Sequence, residues 1–361
     1  CNRQVRRRSD MKKWKKKQPS VNWKISSLIA VGVLLSIMFI LPSIIVLPFI
    51  GDQSETEASI GAPAETEIEN RERELTSPFH VNVFRTNTEE VEQVPLEEYV
   101  VHVVASEMPA DFELEALKAQ ALAARTYVVK FLVQGVSDIP GGADVTDTVQ
   151  HQVYKNDSEL REIWGSDYHW KIDKITQAVY ETQGQIITYE NQPITPAFFS
   201  TSNGYTENSE NYWPNELPYL RIVESPWDEE QSPKFFNQKT FTKAQLEELL
   251  GVPINSDEKF QLTRTESQRV ETMKIGEKNF TGREIRTLLD LPSNDFTITK
   301  KNDHYVFTTK GYGHGIGMSQ YGANGMAKEG KTSKEIIEHY YKGAEVHSLE
   351  EAAPTLLAKT D

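Results

Sequence analysis

VVASEMPADFELEALKAQALAART, residues 103–126, places one carboxylate inside a run of apolar and small side chains and then turns at once into an alanine-rich helical pattern. Eight of the eleven residues from Val101 to Asp111 are apolar or small, and Glu107 sits among them. Upstream, Pro95 opens PLEEYVVHVVAS, which reads as a helix with Pro at its first position and acids in its first turn. That helix should end near Pro109, because the residue before a proline avoids the helical region. From Glu113 to Val133 the pattern is helical again. Leu114, Leu117, Ala121, Ala124, Val128 and Leu132 fall on one stripe, and five alanines between 116 and 124 admit a close neighbour. Arg125 lies about 70° from the stripe centre at about 100° per residue, at the edge of the buried face. A half-buried guanidinium there needs a partner or an anionic ligand.

Glu107 admits two readings. A solvated glutamate at a helix end is the ordinary one. Against it, a negative charge near a helix C-terminus is mildly unfavourable. Flanking by Val103, Val104, Ala105 and Met108 would also desolvate the carboxyl and raise its pKa, which suits a proton donor near neutral pH.

The 361 residues suffice for one large or two ordinary domains. Residues 1–24 hold ten Lys or Arg and one Asp, residues 25–50 hold no charge, and the chain totals −14, so the head carries +9 and residues 51–361 carry −23. An acidic body of that size argues against nucleic acid as its partner. ISSLIAVGVLLSIMFILPSIIVLPFI, residues 25–50, exceeds the roughly 20 residues needed to cross a bilayer and ends in Pro48-Phe49-Ile50, a poor cleavage site. It reads as a retained transmembrane helix, with the basic head cytoplasmic and the body outside. Met11 heads MKKWKKK, a more natural start than Cys1, so residues 1–10 read as an upstream extension. Cys1 is the only cysteine, so no internal disulfide forms. Residues 51–76 are acidic and poor in apolar side chains, a flexible spacer.

Downstream, HVNVFRT and VTDTVQHQVY read as strands, KIDKITQAVYETQG as a helix stopped by Gly184, and QIITY with ITPAFFSTS as a hairpin. TKAQLEELLG has a Thr242 cap and a Gly251 stop. Two strands, the short helix TGREIRTLLDL and the hairpin FTITKKNDHYVFTT follow, and TSKEIIEHYYKG is a capped helix stopped by Gly343. Strands and helices interleave without a strict βαβ rhythm, which predicts an α+β domain. Residues 348–361 read as a loose tail.

The run Gly311-Tyr-Gly313-His-Gly315-Ile-Gly317 fits neither a dinucleotide nor a Walker spacing. It is either a loop presenting His314 to a ligand or a tight turn whose histidine satisfies local backbone groups. No metal-ligand cluster and no G-x-S-x-G elbow occurs.

SEMP…EALKAQALAARTY, FFSTSNGYTE, PYLRIVESPWD and GYGHGIGMSQYGA, in that order, resemble the stage II sporulation protein D family, which also includes amidase-enhancer proteins. The resemblance covers roughly residues 78–347 and makes 77–347 one catalytic domain, open to a division into two lobes around a glycan cleft. It implies a lytic transglycosylase on the membrane that engulfs the forespore. Such an enzyme cleaves peptide-stripped peptidoglycan between N-acetylmuramic acid and N-acetylglucosamine, beside stage II sporulation protein P (an amidase) and protein M. It implies Glu107 as the catalytic acid, with Arg125, Tyr219 and Arg221 linked to activity; some relatives have lysine where Arg221 stands. Tyr205, Trp213, His314, Ser319 and Gln320 are expected on the sugar. Some members hold zinc with Cys and His in the middle segment. Here that segment offers His151 and no cysteine, so no metal and no cofactor is expected. An ordinary glycosidase needs two carboxylates, whereas a lytic enzyme works with one. The alternatives are a non-catalytic wall-binding enhancer of an amidase, and a hydrolase pairing Glu107 with Asp111 or another acid.

Overall fold

The computed structural model describes residue 75 and residues 77–135, 138–255 and 258–357, all within one compact unit spanning residues 70–361. The expected basic head, membrane helix and, Leu75 apart, acidic spacer lie outside the described residues. Among the described residues no helix is long and apolar enough to cross a membrane.

The architecture is mixed α and β around two apolar clusters. Helix α1 (Leu96–Glu107) is buried on nearly every side, as expected of a helix apolar all round. Its valines have no strong helix propensity, so tertiary packing holds them helical. It stops where predicted: Met108, before Pro109, is extended at φ −128° and ψ 137°. Helix α2 (Leu114–Gln134) crosses the middle of the larger cluster and ends at Gly135, which has φ 64°. Around α2 pack α1 and the helices Tyr168–Glu181, Gln320–Lys328 and Ser333–Tyr340. Ala116, Ala119, Ala121, Ala123 and Ala124 are fully buried there, and their small side chains admit neighbours on several sides.

The smaller cluster belongs to residues 236–310 and gathers Leu246, Met273, Ile285, Phe296 and Phe307. Two three-stranded antiparallel sheets cover it, one ordered Lys278–Thr281, Val270–Ile275, Gln261–Arg264 and the other Phe296–Lys301, His304–Lys310, Phe236–Thr242. The chain enters at Phe235 and leaves at Gly311, and the Gly311 N–H donates to the Phe235 carbonyl at 2.8 Å.

Four expectations need correction. In VTDTVQHQVY only Val145–Thr146 is strand, pairing parallel with Val83 and Phe84; the remainder is a loop that reaches the end of α1. The hairpin partner of Gln185–Tyr189 is Gln192–Pro193, while Phe198–Phe199 pairs in parallel with Met318–Ser319. Three strands, not two, follow Gly251 before the helix Gly282–Leu288. Of the segment expected as a loose tail, residues 348–357 fold into short helices at Leu349–Ala352 and Pro354–Leu357, burying Leu349, Ala353 and Leu356 in the larger cluster, because apolar side chains recur there every three or four residues; residues 358–361 lie outside the described residues.

Candidate active site

Glu107 is the last residue of α1 and lines a cleft of about 570 Å³ together with Asp111, Lys171, Lys234, Arg286 and Gln320. The rings of Trp164, Phe198, Phe199, Tyr312, His314 and Tyr321 complete the walls. Residues of both apolar clusters' segments thus meet at the acid. One carboxylate oxygen, Oε1, accepts from the Val153 N–H at 2.9 Å. Among the described residues no donor engages Oε2. The main-chain carbonyl of Glu107 accepts from Gln320 Nε2 at 3.0 Å, which ties the end of α1 to the start of the helix Gln320–Lys328. Burial pushes the Glu107 carboxyl above the ordinary range, while the Val153 N–H and the charge of Lys155 pull the other way. A half-buried acid with a raised pKa, one oxygen anchored and one open, is equipped to hold a proton and hand it to a ligand.

The glycine-rich loop forms the opposite wall. Gly317 has φ 78°, and a Cβ there would lie 2.0 Å from the Ala197 carbonyl oxygen, so only glycine permits both the turn and the close approach. His314 Nδ1 accepts from the Ile316 N–H at 2.9 Å, and the ring also donates to the Phe198 carbonyl. Both nitrogens are therefore spent on backbone. Burial and the nearby Arg286 push the imidazole down to about 3, so it stays neutral and offers the cleft a ring face, not a donor. Behind it the rings of Trp213 and Tyr212 pack at 5.6 and 5.8 Å.

A buried carboxylate at the end of the PYLRIVESPWD motif, given no role in the sequence analysis, holds these segments together. Asp228 is fully buried. Its Oδ1 accepts from the Ser202 N–H at 2.8 Å and from Ser319 Oγ. Its Oδ2 accepts from Ser202 Oγ at 2.9 Å and Ser225 Oγ at 2.7 Å, and Ser225 meets the Tyr340 hydroxyl at 2.8 Å. Three of the four signature segments thus converge on Asp228. Desolvation raises its pKa despite these donors.

Of the residues expected at the site, Glu107, His314 and Gln320 line the cleft, and the others do not. Arg125 is fully buried in a bidentate pair with Glu97, at 2.6 Å for Nη2 to Oε2 and 3.0 Å for Nε to Oε1. Glu97 lies ten residues before Glu107, about 15 Å away along α1, so the carboxylate that satisfies Arg125 is at the far end of the helix from the acid. Tyr219 is buried, its hydroxyl accepting from the Thr195 N–H at 3.0 Å. Arg221 forks onto Glu210 at 2.9 and 2.6 Å. Ser319 is buried, capping the helix that follows and donating to Asp228. Trp213 backs His314, and Tyr205 is exposed, with its carbonyl accepting from Arg269 at 3.0 Å. Lys171, Lys234, Arg286 and the Val153 amide had no signal in the sequence, whereas Tyr312 and Tyr321 stand inside a motif already singled out.

A family model described as Stage II sporulation protein (SpoIID) matches residues 84–189. The chain is 46% identical over 343 residues to stage II sporulation protein D of Bacillus subtilis (strain 168), an alignment that covers 92% of this chain and 98% of that protein. The chain belongs to the stage II sporulation protein D family. A second relative, stage II sporulation protein D of Bacillus amyloliquefaciens, is 46% identical over 90% of this chain and 96% of its own length. The amidase enhancer of Bacillus subtilis (strain 168) is 30% identical over 68% of this chain and 40% of its own length. His151 Nδ1 lies 2.9 Å from Thr146 Oγ1, and among the described residues no group of three His, Cys, Asp or Glu is placed to hold a metal ion.

Proposed function

We propose that this protein is a lytic transglycosylase of the cell wall, cleaving peptide-stripped peptidoglycan strands between N-acetylmuramic acid and N-acetylglucosamine. The observation that carries the reading is Glu107, a carboxyl held above its ordinary pKa at the junction of the cleft walls and fixed through one oxygen by the Val153 N–H. Protonated Glu107 gives its proton to the glycosidic oxygen as the C1–O bond breaks. The same carboxylate then takes the proton of the muramic acid C6 hydroxyl as O6 bonds to C1, which closes a 1,6-anhydro ring, consumes no water and returns the acid to its starting form. Ring faces along the cleft suit stacking on sugars. Family membership supports a role in sporulation, and we place it in septal wall remodelling and forespore engulfment. In this reading residues 25–50 anchor the chain in the engulfing membrane, residues 77–347 act outside the cytoplasm, and stage II sporulation proteins P and M work beside it.

A second reading has the amidase-enhancer relative in its favour: the cleft binds glycan without cutting it and aids a wall amidase. Mass analysis of products from peptide-free strands separates the possibilities. Anhydro ends are expected. Reducing ends would point to a hydrolase drawing on Asp111, and binding without cleavage would point to the enhancer.

A further inference from the structure

We propose that Lys171, Lys234 and Arg286 select the strand by reading carboxylates of the glycan, namely the lactyl group of each muramic acid that bears no peptide. This rests on the glycan reading above and adds the residues that confer preference. The starting observation is a reversal of sign. Residues 51–361 carry a net −23, yet the cleft sets three cations against Glu107 and Asp111. On so acidic a body, cations commonly find carboxylates, as Lys118 does with Glu115 at 2.6 Å and Lys331 with Glu335 at 3.0 Å. Lys234 and Arg286 form no ion pair among the described residues. Lys234 Nζ sits 5.0 Å from the centre of the Tyr312 ring, and Arg286 donates to the Tyr212 hydroxyl at 3.0 Å and the Leu291 carbonyl at 3.3 Å. Lys171 shares a solvated contact with Asp167 at 3.3 Å and lies 5.6 Å from the Trp164 ring.

The cations are also distributed. Lys171 and Trp164 come from the helical segment that packs on the larger cluster, while Lys234, Tyr312 and Arg286 come from the edge of residues 236–310 and its flanks. Each wall therefore offers a ring for a sugar face and a cation for an anion, with the acid between them. A neutral polysaccharide has no use for this arrangement. A strand with a carboxylate on alternate sugars does, and it loses that charge where the lactyl carboxyl is an amide to peptide. Charge-assisted hydrogen bonds of this kind are the strong ones.

The test compares two probes on the full chain: peptide-free glycan strands with free lactyl carboxylates, and the same strands with those carboxyls converted to methylamides. Binding to the Glu107→Gln variant and cleavage by the wild type are both measured. The free-acid strand is expected to bind about tenfold more tightly at low salt, the scale of one charge-assisted contact. Lys171→Ala/Lys234→Ala, with Arg286 still in place, should cut that preference by weakening the free-acid strand more than the amide strand, and Lys234→Glu should cut it further. Equal binding of the two strands by the wild type, or an equal loss on both in the double variant, overturns the inference and leaves the glycan reading standing. Failure of both strands to bind or be cut overturns both.

Discussion

Arg125→Ala is the perturbation with the sharpest consequence. The Arg125 guanidinium meets Glu97 at 2.6 Å and 3.0 Å and donates to the Val179 carbonyl at 3.3 Å and the Gln185 carbonyl at 3.2 Å. Glu97 Oε1 also accepts from the Gly184 N–H at 3.2 Å. The pair thus binds the start of α1, the middle of α2 and the turn between the helix Tyr168–Glu181 and the strand Gln185–Tyr189. Glu97 is only 2% exposed, so truncating its partner leaves a carboxylate buried and uncompensated, at a cost of about 3–5 kcal/mol. Against a typical total of about 5–15 kcal/mol that is a large fraction, and melting should fall by on the order of 10 °C. Melting and turnover are measured on the same preparation. Below its transition Arg125→Ala should keep most of its turnover, since Arg125 does not line the cleft. Glu97→Leu/Arg125→Met, which removes both charges and fills the space, should recover much of the lost stability. An Arg125→Ala variant that melts like the wild type but turns over about 100-fold more slowly would refute this account and restore a part in the chemistry.

Glu107→Gln should lower turnover by about 10²-fold or more, the scale of general acid catalysis, and normal turnover would remove Glu107 from the mechanism. Because the folded state raises this carboxyl's pKa, it binds the proton more tightly than the unfolded chain does, and stability is lost as pH rises through that raised value. Glu107→Gln should therefore melt at or above the wild type at pH 7, and a thermal scan should show the gain vanishing below about pH 4.3. His314 runs in the opposite direction: its folded value of about 3 lies below the free value of about 6.5, so its contribution is complete above about 6.5 and lost as pH falls toward 3. His314→Gln should flatten the dependence of melting temperature on pH in that window, and an unchanged slope would rule out a neutral ring. Gly317→Ala, whose Cβ would stand 2.0 Å from the Ala197 oxygen, should cost about 2 kcal/mol or more in denaturant titration. Gly330→Ala, at φ 85° with nothing within 4 Å, should cost only about 1 kcal/mol, and equal losses would show that backbone conformation alone sets the penalty.

Several helices, α1 and α2 among them, were legible in the chain because their signals are local. Thr242 with Gln245 and Thr332 with Glu335 close capping boxes within four residues, and Gly135 and Gly251 end helices in the left-handed region. Glu107 was legible for the same reason, since its apolar neighbours and Pro109 are adjacent in sequence. The rest of the site depends on contacts that sequence distance hides. Val145–Thr146 is strand only because Val83 and Phe84 lie beside it, and the loop that follows delivers the Val153 amide to a carboxylate 46 positions earlier. Arg125 shows the limit most plainly. Its position at the edge of a buried stripe told that it needs a partner, but helical periodicity gives an angle about one axis and says nothing of what lies opposite. Only the packing of α1 on α2 chose Glu97 over the cleft, and only the return of the chain at Gly311 brought Lys234 and Tyr312 to the wall facing the acid.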